Sequence, residues 1–179
     1  ARERVYTVGE VTPLQQLPLP NLDAQVWVKR EDLGPIKAYK WRGAYNAIAA
    51  LDPEQREKGI VAASAGNHAQ GVALAAKALS CKAVIFMPCS TPEVKQSEVL
   101  RFGGDNVEIR LIGDTYDDAG MAANEFCQSS SGVYIHPYDD PDVIAGQGTV
   151  GLELLRQHNG NIDAIFLPVG GGGLCAGVV

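Results

Sequence analysis

Three short stretches carry residue types and spacings that could do chemistry. Gly170 to Gly173 follow the apolar run Asp163-Ala-Ile-Phe-Leu-Pro-Val169 and precede Leu174-Cys-Ala-Gly-Val-Val179. Glycine lets a backbone turn tightly and approach a ligand, and a helix opening after such a run offers unpaired N–H groups to an anion, so the run reads as a phosphate cradle. The competing reading is a flexible linker, but linkers usually mix glycine with serine and other polar residues. Lys40, in Ala38-Tyr-Lys-Trp-Arg-Gly43, opens an apolar-striped helix at the end where the macrodipole disfavours a cation. It is a candidate nucleophilic amine, set against the plain reading of a solvated surface lysine. Ser64-Ala-Gly-Asn-His-Ala-Gln-Gly71 places small residues before polar donors at a helix start, a nest for a carboxylate in which the Ser64 hydroxyl and Asn67 amide join backbone N–H groups. The same residues could be a simple helix cap, and His68 is either a capped or core histidine or an acid–base group.

These stretches fall at transitions between regular elements. From Lys58 onward, β-branched runs (Gly59-Ile-Val-Ala-Ala63, Ala83-Val-Ile-Phe-Met87, Val107-Glu-Ile-Arg-Leu-Ile112, Val133-Tyr-Ile135 and Ile162-Asp-Ala-Ile-Phe-Leu167) alternate with helical patterns. Ala69, Val72, Ala73, Ala76 and Leu79 share one helical face between Asn67 and Ser80, and Tyr116, Ala119, Ala123 and Phe126 share another. Thr91 before Pro92, Asp114 before Thr115 and Asp140 before Pro141 read as side-chain caps, so Asp139-Asp-Pro-Asp142 is capping chemistry and not a metal site. Upstream, Gln25-Val-Trp-Val-Lys29 reads as a strand, and Trp41, Ala44, Tyr45, Ile48 and Leu51 form a helical stripe in which Trp41 and Tyr45 are core residues. The repeated strand–helix rhythm predicts an α/β fold, parallel sheets with helices on both faces, with ligands at the carboxyl ends of the strands.

Composition narrows the function classes. The chain has 179 residues, 46% of them hydrophobic, and a formal charge of −6 with scattered Lys and Arg, which argues against a nucleic-acid partner. Lys29-Arg-Glu-Asp32 is a mixed-charge run and reads as a solvated strand end. Cys81, Cys89, Cys127 and Cys175 show no CxxC pair or short Cys/His spacing, so free thiols are expected and a zinc or redox motif is not. No apolar run is long enough to span a membrane and no leader pattern opens the sequence, so a cytoplasmic protein is expected.

A nucleophilic amine, a carboxylate nest and a phosphate cradle are together what a pyridoxal-phosphate enzyme needs. The chain closely resembles the threonine dehydratases (threonine ammonia-lyases, or threonine deaminases) of the fold-type II pyridoxal-phosphate enzymes. The resemblance runs through Lys29-Arg-Glu-Asp-Leu33, Tyr39-Lys-Trp-Arg-Gly-Ala-Tyr-Asn46, Ser64 to Gly71, Gly113-Asp-Thr115, His136-Pro-Tyr-Asp-Asp-Pro-Asp142, Gly146-Gln-Gly148 and Gly170-Gly-Gly-Gly-Leu174. It implies that Lys40 forms the Schiff base and takes the α-proton, that Tyr39 stands where the family usually packs Phe on the cofactor ring, and that Asn67 bonds the cofactor's phenolic oxygen. It further implies that Ser64, Ala65, Gly66, Asn67 and His68 surround the substrate carboxylate, that Gly170, Gly171, Gly172, Gly173 and Leu174 hold the phosphate, and that this phosphate protonates the leaving hydroxyl. The implied reaction converts L-threonine, and also L-serine, to a 2-oxo acid and ammonia, as in isoleucine biosynthesis, in an intact protein that is a homo-oligomer.

Two positions depart from the family's pattern. Ala38 stands where Ser or a similar residue is common, which removes one polar contact near the cofactor. Ala65 stands where the related serine racemases carry a serine acting on the opposite face of the substrate carbanion, so elimination is expected over racemisation. The runner-up is a dinucleotide-binding oxidoreductase, because Gly171-x-Gly173-x-x-Ala176 matches a loose Rossmann pattern, but that reading leaves Lys40 and the Ser64 loop without a role. A third is an inactive fragment, since the resemblance implies further strands and a Ser or Cys ligand to the pyridine nitrogen beyond the glycine run. The expected architecture is discontinuous: residues 1–40 and 136–179 in a large domain, and a small βαβ domain over 41–135.

Overall fold

The computed structural model describes residues 1–179. Its elements in chain order are α1 (Arg2–Val5), β1 (Leu14–Leu17), β2 (Val26–Lys29), α2 (Lys40–Ala50), α3 (Pro53–Glu57), β3 (Ile60–Ala63), α4 (Asn67–Ala78), β4 (Ala83–Met87), α5 (Glu93–Gly103), β5 (Val107–Leu111), α6 (Tyr116–Ser130), β6 (Val133–Tyr134), α7 (Pro141–Gln147), α8 (Thr149–Gln157) and α9 (Gly173–Val178). The last four strands pair in parallel in the order β5-β4-β3-β6. Strand periodicity sorts their side chains: Ile60, Ala62, Ile85 and Met87 join the large apolar cluster with α2, α4 and α5, while Val61, Ala63 and Phe86 meet Ala119 and Ala123 of α6. Helices therefore cover both faces, and the expected α/β architecture holds.

Several expectations change. Leu14–Leu17 was not foreseen as a strand, yet it pairs antiparallel with β2, with Leu14 opposite Lys29. Ile162 to Leu167, expected as a strand, forms none, because no other strand lies alongside to take its backbone N–H and C=O groups; Phe166 is 94% exposed. Asp140 does cap α7, accepting from the amides of Asp142 (2.8 Å) and Val143 (2.9 Å). In α6, however, the cap is Thr115 and not Asp114: Thr115 and Asp118 exchange side-chain-to-backbone bonds in a capping box. Thr91 caps nothing. Pro92, at φ −57° and ψ 140°, is itself the boundary residue, so α5 starts one position later and the buried Thr91 hydroxyl has no partner.

The run Lys29 to Asp32 is divided between the end of β2 and a 3-10 turn over Glu31–Leu33. Arg30 and Asp32 pair in solvent, whereas Lys29 and Glu31 turn inward to an ion cluster around Arg42, which corrects the solvated reading. Trp41 and Tyr45 are core residues as expected. The long apolar helix α2 packs between α4 and α7, and the second crossing is tight: a Cβ added at Gly146 would lie 2.4 Å from the Arg42 carbonyl oxygen. No helix is long and apolar enough to cross a membrane.

Candidate active site

The segment leaving β6, Ile135 to Tyr138, is where the three candidate stretches converge. Lys40 Nζ donates to the Pro137 carbonyl at 2.6 Å, and His68 Nε2 lies 2.9 Å from the Ile135 carbonyl. The Tyr138 ring lies against Gly171, and the Tyr138 carbonyl against Gly173. His136 folds this segment, its Nδ1 accepting from the amides of Tyr138 (3.3 Å) and Asp139 (2.7 Å), with its ring edge-on to Tyr138 at 4.6 Å. Residues separated by more than a hundred positions thus meet at the carboxyl end of one strand, where an open parallel sheet places ligands.

Lys40 is the first residue of α2, and its amine is half-buried; loss of solvent holds its pKa below the usual lysine range, which favours the neutral, nucleophilic form. The amine stands 5.7 Å from the centroid of the Tyr39 ring. This is not a solvated surface lysine. Ala38 packs with Ile36 and Trp41, so the position that lacks a hydroxyl is filled by apolar contact.

The Ser64 loop follows β3 directly. Ser64 Oγ accepts from the Gly66 amide at 3.2 Å, and Ala65 lies at the margin of the large core cluster. No side chain caps α4, so its first amides are left for another acceptor, and the exposed Asn67 side chain makes no hydrogen bond within the chain. His68 is a core histidine: burial pushes its pKa down to about 4 and it stays neutral. With Nε2–H donating to Ile135, Nδ1 is a buried acceptor without a partner.

Gly170 and Gly171 are exposed, Gly172 is half-buried, and Gly173 and Leu174 are buried. Gly172 has φ 87°, which L side chains rarely adopt, and a Cβ at Gly170 or Gly172 would meet nothing within 4 Å. At Gly171 a Cβ would sit 2.3 Å from the Tyr138 ring, and at Gly173 2.7 Å from the Tyr138 carbonyl oxygen. Open space at Gly170 and Gly172 and close contact at Gly171 and Gly173 make a side-chain-free wall backed by Tyr138. The uncapped helix, the amine with donors to spare and this wall together suit a compact anionic aldehyde. Pro137 and Tyr138 were named in the sequence only as part of a motif; their structural weight as the meeting point comes from the fold.

The family of pyridoxal-phosphate dependent enzymes matches over residues 5–179. The chain is 53% identical over 177 residues to the biosynthetic, chloroplastic threonine dehydratase 1 of Solanum lycopersicum, covering 98% of this chain and 29% of that protein. It is 47% identical over 179 residues to the biosynthetic L-threonine dehydratase IlvA of Escherichia coli K12, covering 99% of this chain and 34% of that protein. Among solved structures, the processed form of threonine deaminase isoform 2 from Solanum lycopersicum superposes with a TM-score of 0.92 at 46% identity, covering 97% of this chain and 47% of that one. Maize serine racemase superposes at 0.90 with 37% identity, covering 99% of this chain and 53% of that one. The chain therefore spans about a third of the length of these two curated relatives. With the Lys40 amine, the uncapped start of α4 and the glycine run gathered at one strand end, and a family match from Val5 to Val179, the chain belongs to the pyridoxal-phosphate dependent enzymes.

Proposed function

We propose that the intact protein is a threonine ammonia-lyase, turning L-threonine into 2-oxobutanoate and ammonia, with L-serine giving pyruvate in the same way. The observation that carries this is the convergence of Lys40, the Ser64–His68 loop and the Gly170–Leu174 run on residues 135–138. The names of its similar relatives, threonine dehydratases from plants and bacteria, support the substrate. Pyridoxal phosphate, when bound, supplies the aldehyde that bonds the amine and the ring that takes up the electron pair left at Cα.

The chain's own residues supply the rest. Gly170 to Gly173 and Leu174 hold the phosphate through main-chain N–H groups, which a side chain at Gly171 or Gly173 would disturb. Ser64, Ala65, Gly66, Asn67 and His68 bind the substrate carboxylate at the α4 N-terminus, and the free Asn67 amide orients the cofactor's phenolic oxygen. Tyr39, whose ring centroid is 5.7 Å from the Lys40 amine, would help hold the cofactor ring. Lys40 Nζ, its pKa lowered by burial, takes the α-proton. Ala65 has no proton to give on the opposite face, which favours elimination over racemisation. The division into a small domain over 41–135 and a large one from 1–40 and 136–179 belongs to this reading, supported by a parallel sheet confined to Ile60–Tyr134.

The test is made on the full-length protein. Borohydride reduction and peptide mapping should place the reduced cofactor on Lys40, and Lys40→Ala should lower threonine deamination by at least roughly a thousandfold. Trapping on a different lysine, or D-serine formed from L-serine at a rate matching deamination, would overturn the assignment.

A further inference from the structure

Arg42 lies two residues past Lys40, roughly 200° around the same helix, so the two side chains leave α2 on opposite sides. Its guanidinium is fully buried and all its nitrogens are engaged. Nε and Nη2 fork onto Glu31 at 2.9 Å each, Nη1 and Nη2 reach Glu153 at 2.6 and 3.1 Å, and Nη1 also reaches Thr149 Oγ1 at 2.9 Å. Glu153 is held in turn by Lys29, in a buried salt bridge, and by the Tyr6 hydroxyl at 2.7 Å. Lys29 donates as well to Gln157 Oε1 (2.8 Å) and the Thr12 carbonyl (2.5 Å). Two cations and two carboxylates thus tie α2 to β2, α8 and the first twelve residues.

Stability alone does not account for such a cluster. Removing four charges from water is expensive, and apolar side chains of similar volume usually serve as well or better. What forked charge-assisted bonds add is direction, since planar pairs fix rotation as well as distance. The first turn of α2 needs that help. It has no side-chain cap, its leading residue is a cation at the positive end of the helix, and the chain reaches it through Lys37 at φ 56°, outside the usual range for a side-chain-bearing residue.

We propose that Lys29, Glu31, Arg42 and Glu153 are positioning residues, a buried charge cluster that sets the rotation and depth of α2 and so places the Lys40 amine between the Ser64 loop and the glycine wall. The inference rests on Lys40 being the reactive amine. Loss of solvent is what lowers the Lys40 pKa, and the cluster acts on that residue through placement.

The test uses the full-length protein in two arms. Without cofactor, trace acetylation across pH with peptide mass spectrometry reads the titration midpoint of Lys40 itself. With added pyridoxal phosphate, the half-saturating concentration for borohydride-trapped adduct on Lys40 is measured. Arg42→Lys keeps the charge but cannot span both carboxylates; it should raise the Lys40 midpoint by about half a pH unit or more towards a solvated lysine, and raise the half-saturating concentration at least roughly tenfold. Val72→Ala, which shortens a buried core side chain on α4 that takes no part in the charge cluster, should move neither quantity while lowering the melting temperature. Unchanged values in folded Arg42→Lys would overturn the proposal. If that variant does not fold, Glu31→Gln, at the most exposed member of the cluster, decides by the same two readings. Wild-type trapping on another lysine would defeat the functional reading, and the cofactor-free arm would then decide whether the cluster places Lys40.

Discussion

The two loops assigned to anions contrast in how they are held. Ser64 to His68 leaves a strand whose four residues are all buried, all paired with β4 and, at Ile60 and Val61, with β6 as well, and opens a twelve-residue helix whose second side chain is locked to the Ile135 carbonyl. Gly170 to Gly173 leaves an unpaired, exposed stretch and opens a six-residue helix; its wall is pressed against Tyr138, a residue of a different segment. The first loop inherits its shape from the sheet beneath it. The second owes its shape to a neighbour and to the absence of side chains. The same ligand chemistry can therefore rest on unequal scaffolds, and the two loops should respond differently to perturbation.

The largest expected difference is in acid. His68, the lock of the first loop, has its pKa held at about 4 by burial, against about 6.5 in an unfolded chain. Below the unfolded value the unfolded state takes up a proton that the native state refuses, so stability falls as pH drops through the window from about 6.5 to about 4. The loss from this one group is on the order of 3 kcal/mol. Urea midpoints of the full-length protein at pH 7 and pH 4.5, compared with those of His68→Leu, read it: the variant should lose this part of the pH slope. A slope identical in the two proteins would show that the first loop is not locked by a neutral histidine.

The second loop should be most sensitive to size. In Gly173→Ala the new Cβ meets backbone, the Tyr138 carbonyl oxygen at 2.7 Å, and backbone cannot swing aside as a side-chain end can. Overpacking of this kind costs about 1–3 kcal/mol. The variant should show a lowered melting temperature together with weaker retention of pyridoxal phosphate in equilibrium dialysis. Wild-type retention despite the added methyl would mean that the wall against Tyr138 does not shape the phosphate site.

The same contrast explains what could be read in the sequence. β3, α4 and β4 show their periodicity because each buries a face against an element close in the chain, and their bounds fall within a residue or two of expectation. Ile162 to Leu167 carries an equally strand-like composition, but pairing is a property of two segments, and composition reports on one. β1, Leu-Gln-Gln-Leu, lacks clean alternation and is recognised only by its partner β2. Of the site, Lys40, the Ser64 loop and the glycine run were visible as local patterns. Their meeting point at Pro137 and Tyr138 was not, nor was the ion cluster that joins Lys29 and Glu31 to Arg42 and Glu153, because it links residues more than a hundred positions apart.

The smallest expected effect isolates binding from folding. Gly66, unlike Gly173, has open space where a Cβ would go, and its φ of −140° is one that any residue adopts. Gly66→Ala should therefore leave the unfolding midpoint within about 0.5 kcal/mol of wild type, as for a substitution that touches no packed neighbour. The methyl would nevertheless project into the open space beside the uncapped start of α4, where the substrate carboxylate is assigned. For the full-length protein the expected result is a raised KM for threonine with little change in melting temperature, the reverse weighting of Gly173→Ala. If Gly66→Ala were instead as destabilising as Gly173→Ala, the first loop would be packed as tightly as the second, and the distinction between a loop shaped by its sheet and one shaped by its neighbour would fail.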